Sequence, residues 1–391
     1  MNALFLSPEA PYPAAGGGAL RSAALLEYLA SRYAVHAIVF REHGAPDPRP
    51  AFRPGVAERI DVIDLPYHSR SLIARAGRNA ARYLGHKPPL NDRFAGFAAP
   101  LAAILRGRRY DLAVIEHFWC APYCEQIQPH TAKIVLDLHN VESVFYGRSA
   151  QVAPWPVSAA MRRFERASRA LERRWLPRFS LVLATSETDT RITREISPET
   201  KAHVYPNTIP FAPQPDVPEE HTLVFSGNFG YGPNISGVRF FRDRIWPALA
   251  DRWPGLVWRL VGKNPQAIAR MVSGDPRIEI AGPVENAVEA LAAARVVVVP
   301  LLAGSGTRVK ILEAWAAARA VVSTSLGAEG LPVCDGQQIA IADSPEEFAE
   351  AVSRLLASPG ERRRLGCAGR ALYENCFTRE QGWQELARIG I

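Results

Sequence analysis

The sequence predicts an α/β protein built from two doubly wound parallel-sheet domains, and three observations carry that prediction. A strand, a glycine-rich loop and a helix follow one another three times, after residues 3–7, 222–226 and 294–299. The predicted strands are short apolar runs rich in β-branched residues, the composition of strands covered on both faces. At 391 residues the chain also exceeds one ordinary core and suits two domains of about 150 to 200 residues.

Residues 3–7 form the first strand. The loop after it carries Gly16, Gly17 and Gly18 directly before a helix over 21–30, whose apolar positions fall at 24, 25, 28 and 29. Glycines in that place either let the backbone approach a ligand or make a flexible connection. Strands at 33–40 and 59–65 follow, joined by a proline-rich loop. Residues 69–109 then mix arginines such as Arg70, Arg75, Arg78 and Arg82 with Leu72, Ile73 and Leu84. That pattern fits an amphipathic, membrane-seeking face or an ordinary solvated one.

Strands at 111–116, 133–138 and 181–185 complete the first half. The second of them leads into His139, and a histidine at the carboxyl end of a strand in an open α/β sheet projects into the crevice where ligands bind. The alternative is a core histidine satisfied by a carbonyl. Glu116, His117 and Glu142 are lesser candidates at the same strand ends. Residues 154–179 read as one long helix whose arginines, interleaved with Glu165 and Glu172, decorate a solvated face. The proline-rich stretch 206–220 has linker composition and places the hinge.

Residues 222–226, 256–262 and 278–284 supply further strands with helices between them, and the βαβαβ order predicts a second doubly wound sheet. The run 295–299, nearly all valine, leads into Gly304, Ser305, Gly306 and Thr307, with a helix beginning near Thr307. Small residues between a strand and a helix bring unpaired backbone N–H groups to the sheet edge, where they favour bound phosphate. At about 100° per residue, Gly306, Lys310 and Glu313 share one helical face. Val309, Leu312 and Ala316 take a second face and Ile311 and Trp315 a third, so the helix is apolar nearly all round and predicted to be buried. A buried ammonium and carboxylate need partners. They either pair with each other at i, i+3 or serve a nucleoside diphosphate, with Arg308 and Lys310 on its charge and Glu313 on the ribose hydroxyls.

Composition excludes several classes. The net charge of +7 sits in the first half: residues 1–210 hold 27 Lys and Arg against 19 Asp and Glu, and the remainder 19 against 20. A basic surface suits anionic lipid, a diphosphate-bearing acceptor or nucleic acid. No helix-turn-helix, zinc-finger or RNP pattern supports the last. The five cysteines lack paired metal spacing and read as reduced, buried thiols. The first residues read as a strand rather than a signal peptide, and no run of 18 apolar residues occurs, which leads to a cytoplasmic expectation.

The run from Gly304 to Ala316, with the stretch from Val321 to Leu331, resembles the donor site of glycosyltransferase family 4, retaining and metal-independent enzymes of the GT-B fold. The resemblance extends over almost the whole chain. It implies two Rossmann-like domains facing across a cleft: residues 1–208 for the acceptor, residues 209–375 for the nucleotide-sugar donor, and a helix over 376–391 crossing back to the first domain. It implies a UDP- or GDP-sugar as co-substrate, no cofactor and no metal. The acceptor would be a hydroxyl of a glycan, a lipid-linked or a small molecule, in cell-envelope or exopolysaccharide biosynthesis, with peripheral contact to an anionic membrane at its cytoplasmic face. Carried over by residue, His139, Arg308 and Lys310 are catalytic. Gly17, Gly18, Gly227, Asn228, Gly304, Ser305, Gly306, Thr307 and Glu313 hold the donor, and Val284 and Glu285 bracket the base. Two departures stand out. Asn228 replaces an arginine that usually binds diphosphate, with no lysine before Lys263, and Ser305 replaces the first of two glutamates spaced seven apart. The first shifts the work of neutralising phosphate onto Arg308 and Lys310; the second removes the carboxylate contact to the donor sugar and leaves the sugar's identity open. A nucleotide-sugar 2-epimerase of the same fold, or a non-catalytic nucleotide-binding scaffold, remain as alternatives.

Overall fold

A computed structural model describes all residues except Ala15, Arg70, Ser305 and Thr307, and the chain forms two compact units: residues 1–206 with 385–391, and residues 207–384. Each unit is a parallel sheet with helices on it. In the first, β1 (Asn2–Ser7), β2 (Ala34–Arg41), β3 (Arg59–Asp64), β4 (Leu112–Glu116), β5 (Ile134–Asp137), β6 (Leu181–Ala184) and β7 (Ala202–Val204) lie in the order β3-β2-β1-β4-β5-β6-β7. Every residue of β4, β5 and β6 is buried, as strands of Leu, Ile and Val between two helix layers must be. The chain leaves β1 toward β2 and returns to lay β4 on the other side of β1. The loops after β1 and β4 therefore diverge and open a crevice at the carboxyl edge, where side chains from both can meet.

The helix after β1 spans Gly17–Ala30, four residues earlier than its apolar pattern suggests, because Leu20 N donates to Gly16 O and closes a first turn made of glycine and alanine. The predicted long helix over 154–179 is Val157–Trp175, packed against a separate helix, Glu142–Val152. Its charges are not all solvated: Glu172 is buried and accepts from Ser143 N at 2.9 Å, capping the neighbouring helix. By contrast the helix Leu72–Leu84 has no buried residue, and Leu72 and Ile73 are 81% and 87% exposed.

In the second unit, β8 (Thr222–Ser226), β9 (Val257–Val261), β10 (Ile278–Gly282), β11 (Val296–Val299), β12 (Ala320–Ser323) and β13 (Ala340–Ile341) lie in the order β10-β9-β8-β11-β12-β13, all parallel. The crossing from β10 back to β11 puts a second reversal between β8 and β11. Behind it the helix Val309–Ala316 buries Ile311, Leu312, Ala314 and Trp315, as its all-round apolar pattern requires. Trp315 is backed by Gly369 of the helix Pro359–Cys376.

The thiols divide: Cys120 and Cys124 are buried, whereas Cys334, Cys367 and Cys376 are exposed, against the expectation of five buried thiols. Among the described residues, no helix is long and apolar enough to cross a membrane.

Candidate functional site

The reversal between β8 and β11 gathers the chemistry of the second unit. From β8 comes Gly227, and from the segment after β11 come Gly304, Gly306, Arg308 and Lys310. Gly304 has φ 117, a conformation an L side chain resists, and its Cα lies so close to Arg308 that an added Cβ would sit 3.0 Å from Nη2. Arg308 is 9% exposed and donates from Nη1 to Gly306 O at 2.7 Å, so its guanidinium braces the turn it follows. Ser305 and Thr307 lie outside the described residues.

Lys310 and Glu313 share one face, and no ion pair joins them among the described residues. Lys310 instead donates from Nζ to Asn234 Oδ1 at 2.8 Å, and its ammonium stands 4.1 Å from the centroid of the Phe225 ring. Burial, with the Arg308 guanidinium beside it, pulls the Lys310 ammonium down to about 7, although Glu313 opposes this. Burial likewise pushes the Glu313 carboxyl up to about 7 against the attraction of Lys310. Among the described residues the Glu313 carboxylate has no hydrogen-bond partner. Burial without full pairing thus moves both groups toward their neutral forms.

Gly227 leaves room for this arrangement, since a Cβ there would lie 2.9 Å from Lys310 Nζ and 2.8 Å from Asn234 Nδ2. Asn228 is exposed, but its side-chain oxygen accepts from Gly230 N at 2.8 Å and Asn264 Nδ2 at 2.7 Å, tying the loop after β8 to the loop after β9. Val284 and Glu285 are exposed on the segment between β10 and the helix Ala287–Ala292.

A second cluster lies in the first unit, at the carboxyl ends of β4 and β5 beside the helix Gly17–Ala30. Arg21 is 1% exposed. It donates to both oxygens of Asp137, at 2.8 Å from Nε and 2.5 Å from Nη2, and to Tyr205 O at 2.7 Å. Next to this pair, His139 Nε2 lies 2.7 Å from Glu116 Oε2 and 3.3 Å from Asp137 Oδ2, while Ser22 Oγ donates to Glu116 Oε2 at 2.5 Å. Burial would lower the His139 imidazolium, but the carboxylates of Glu116 and Asp137 outweigh it and raise His139 to about 9. Burial alone would raise Asp137; Arg21 and His139 hold it well below the usual carboxylate range. Two cations and two carboxylates thus balance inside the protein, the condition for burying any of them. Gly18 faces this cluster, 3.6 Å from His139 Nδ1 when given a Cβ, whereas Gly17 begins the helix.

His117 stacks on His139 with centroids 3.6 Å apart and on Trp119 at 4.3 Å. Burial and the neighbouring His139 charge push it well below the ordinary imidazole range, so it is neutral. Its φ of 61 with ψ 140 is strained for a residue with a side chain. Glu116, His117 and His139 bring ligating atoms within 4.8 Å of one another. Yet His139 Nε2 is engaged by Glu116 and the two imidazoles are stacked, so their lone pairs do not converge on one point. The geometry suits holding a proton better than holding a cation.

The structure therefore brings Gly227, Gly304, Gly306, Arg308, Lys310 and Glu313 to one sheet edge and His139 and Gly18 to another. Arg21 and Asn234 were not singled out in the sequence. A lone arginine in a helix and an asparagine after proline carry no local signal, and their roles arise from partners 116 and 76 residues away.

Comparison with known proteins places this geometry. A family model described as Glycosyltransferase Family 4 matches residues 15–212, and one described as Glycosyl transferases group 1 matches residues 220–358. Among solved structures, sucrose-phosphate synthase from Thermosynechococcus elongatus superposes with a TM-score of 0.76 at 19% identity, covering 100% of this chain and 98% of that one. Anabaena HepE in complex with UDP-glucose gives 0.68 at 16% identity, covering 100% and 99%. Staphylococcus aureus TarM, in complex with fondaparinux, alpha-GlcNAc-glycerol and UDP, gives 0.70 at 8% identity, covering 100% and 99%. A 44.6 kDa protein in the cps region of Klebsiella pneumoniae is 24% identical over 136 residues, 33% of this chain, which thus spans about a third (35%) of that curated relative. With family models matching both halves, parallel sheets of seven and six strands, and full-length likeness to GT-B structures, the chain belongs to glycosyltransferase family 4 and is a glycosyltransferase of the GT-B fold.

Proposed function

We propose that the chain moves a sugar from a nucleotide-sugar donor to a hydroxyl acceptor with retained configuration and without a metal, the donor diphosphate lying at residues 304–310. The observation that carries this reading is the convergence of the Lys310 ammonium, the start of the helix Val309–Ala316 and the Gly227 main chain at the reversal between β8 and β11. As the bond to the sugar breaks, charge builds on the departing diphosphate. A fixed cation and helix-terminal N–H groups stabilise that charge more than they stabilise the ground state. Arg308, Gly304 and Gly306 form the rest of the cradle. Glu313, whose carboxylate has no hydrogen-bond partner among the described residues, accepts from the ribose hydroxyls, Val284 and Glu285 flank the base, and Gly17 and Gly18 leave the first unit's main chain open to a ligand. Asn228 acts through the loop it ties down. His139, held charged by Glu116 and Asp137, is the group of the first unit that contacts the reacting sugars.

Relatives bound to UDP or UDP-glucose support a uridine diphosphate sugar ahead of a guanosine one. The exposed Leu72, Ile73 and Leu84 beside Arg75, Arg78 and Arg82 support peripheral contact with an anionic membrane, consistent with a lipid-linked or glycan acceptor in envelope or exopolysaccharide synthesis at its cytoplasmic face. The test is a thermal-shift panel of UDP, GDP and their sugars with EDTA present, followed by product analysis. Stabilisation by one diphosphate series, with sugar transferred only when acceptor is present, is the expected result. Product from donor alone would make the protein an epimerase, and binding without turnover would make it a scaffold.

A further inference from the structure

Asn234 is 6% exposed in the first turn of the helix Gly232–Phe240, and both ends of its carboxamide are committed. Its Oδ1 accepts from Lys310 Nζ at 2.8 Å, and its Nδ2 donates to the main-chain oxygen of Asn228 at 2.8 Å. The side chain therefore joins the loop after β8 to the helix after β11, at the place where those two elements diverge. A lysine on a four-carbon stem has many rotamers, and burying its ammonium restricts it only if some acceptor fixes the end. Among the described residues, the Asn234 oxygen is the only hydrogen-bond acceptor Lys310 has. Phe225 lies beneath the ammonium and Gly227 beside it, and the charged groups that face it are Arg308 and Glu313 on its own segment.

We propose that Asn234 is the positioning residue of the donor site, aiming the Lys310 ammonium at the diphosphate and fixing the loop after β8 in register with it. This rests on the diphosphate reading given above. A neutral acceptor is suited to the task. A carboxylate there would compete with phosphate for the lysine, whereas a carboxamide orients the cation and leaves its charge available. Because burial and Arg308 already disfavour the ammonium, loss of the acceptor would discharge Lys310 at lower pH, and diphosphate affinity would go with it.

The experiment is calorimetric titration of the full chain with UDP and with GDP between pH 6.5 and 8.5, using uridine and guanosine as phosphate-free controls. For the wild type, affinity for the bound diphosphate falls as pH rises through the region of 7, where Lys310 loses its proton. Asn234→Ala is expected to weaken the diphosphate about tenfold, as expected for one lost hydrogen bond to a charged group, and to move the falling limb to lower pH. Nucleoside affinity should stay as in wild type. Asn234→Asp, nearly isosteric, moves the limb to higher pH, and it carries the test if the alanine variant melts below assay temperature. An unmoved limb and unchanged diphosphate affinity in Asn234→Asp, or in a folded Asn234→Ala, overturn the assignment. A wild-type chain that binds neither diphosphate overturns the donor-site reading itself, and the inference with it.

Discussion

At the scale of single residues, the protein keeps ionisable groups inside by giving each a counter-charge or leaving it neutral. Lys310, pulled down to about 7 by burial and Arg308, stands between the two kinds, so removing it should affect the reaction far more than the fold. Lys310→Ala is expected to lower turnover by about 10², the scale of one lost preorganised electrostatic donor, while the melting temperature holds or rises. Steady-state rates equal to wild type would remove Lys310 from the mechanism. His139 belongs to the first kind. Its folded value of about 9 lies above the ordinary 6.5, so its stabilising effect is complete below pH 6.5 and is lost as pH rises through 9. Glu142, held at about 8 by burial, and Glu172, held at about 7 by burial, also bind protons more tightly in the folded state and push in the same direction. Lys310 opposes them. A fall in melting temperature between pH 6.5 and 9 is expected, and His139→Gln should flatten it; an unchanged slope would mean that His139 is neutral in the fold.

At the scale of elements, what could be read from the sequence was set by how local the cause is. The strand Val296–Val299 and the turn after it were legible because their meaning is carried by adjacent residues. So was the stripe of Lys310 and Glu313, since helical geometry fixes it. The destination of the stripe was not legible: the expected choice was Glu313 or phosphate, and the protein offers Asn234 from another helix. The start of the helix at Gly17 and the inward turn of Glu172 were hidden for the same reason, being settled by packing rather than propensity. The backing of the donor helix is a further case. A Cβ at Gly369 would sit 2.2 Å from Trp315 Cδ1, and one at Gly366 would sit 2.1 Å from Ala318 O. Gly369→Ala is therefore expected to cost about 1 to 3 kcal/mol through overpacking, measured by denaturant unfolding, and to weaken diphosphate binding by displacing the helix that carries Lys310. Stability equal to wild type would mean that Trp315 has a second rotamer to move into.

At the scale of the whole molecule, both units use one device: a parallel sheet whose strand order reverses once, with glycine-bearing loops on either side of the reversal. The first places a charge-balanced histidine there and the second places a lysine short of charge. Hydrogen exchange with saturating UDP is expected to slow most across residues 226–234 and 300–313 of the second unit, with the sheet of the first unit changing least. Protection confined to the first unit would reverse the assignment of donor and acceptor halves. The doubled α/β architecture was readable from repeated strand, loop and helix patterns, whereas the short strands β7, β12 and β13 were missed and the strand order had to come from the structure. The charge cluster around His139 was not, because Arg21, Glu116 and Asp137 meet only when β4 and β5 lie side by side.

The division of the thiols has a practical side. Cys334, Cys367 and Cys376 all belong to the second unit, and the two cysteines of the first are enclosed by its core. Maleimide dyes and spin labels applied to the native protein will therefore decorate the half assigned to the nucleotide, and Ellman's reagent should register three sulfhydryls before guanidinium is added and five afterwards. An optical reporter of substrate capture can thus be attached without engineering a single new attachment point.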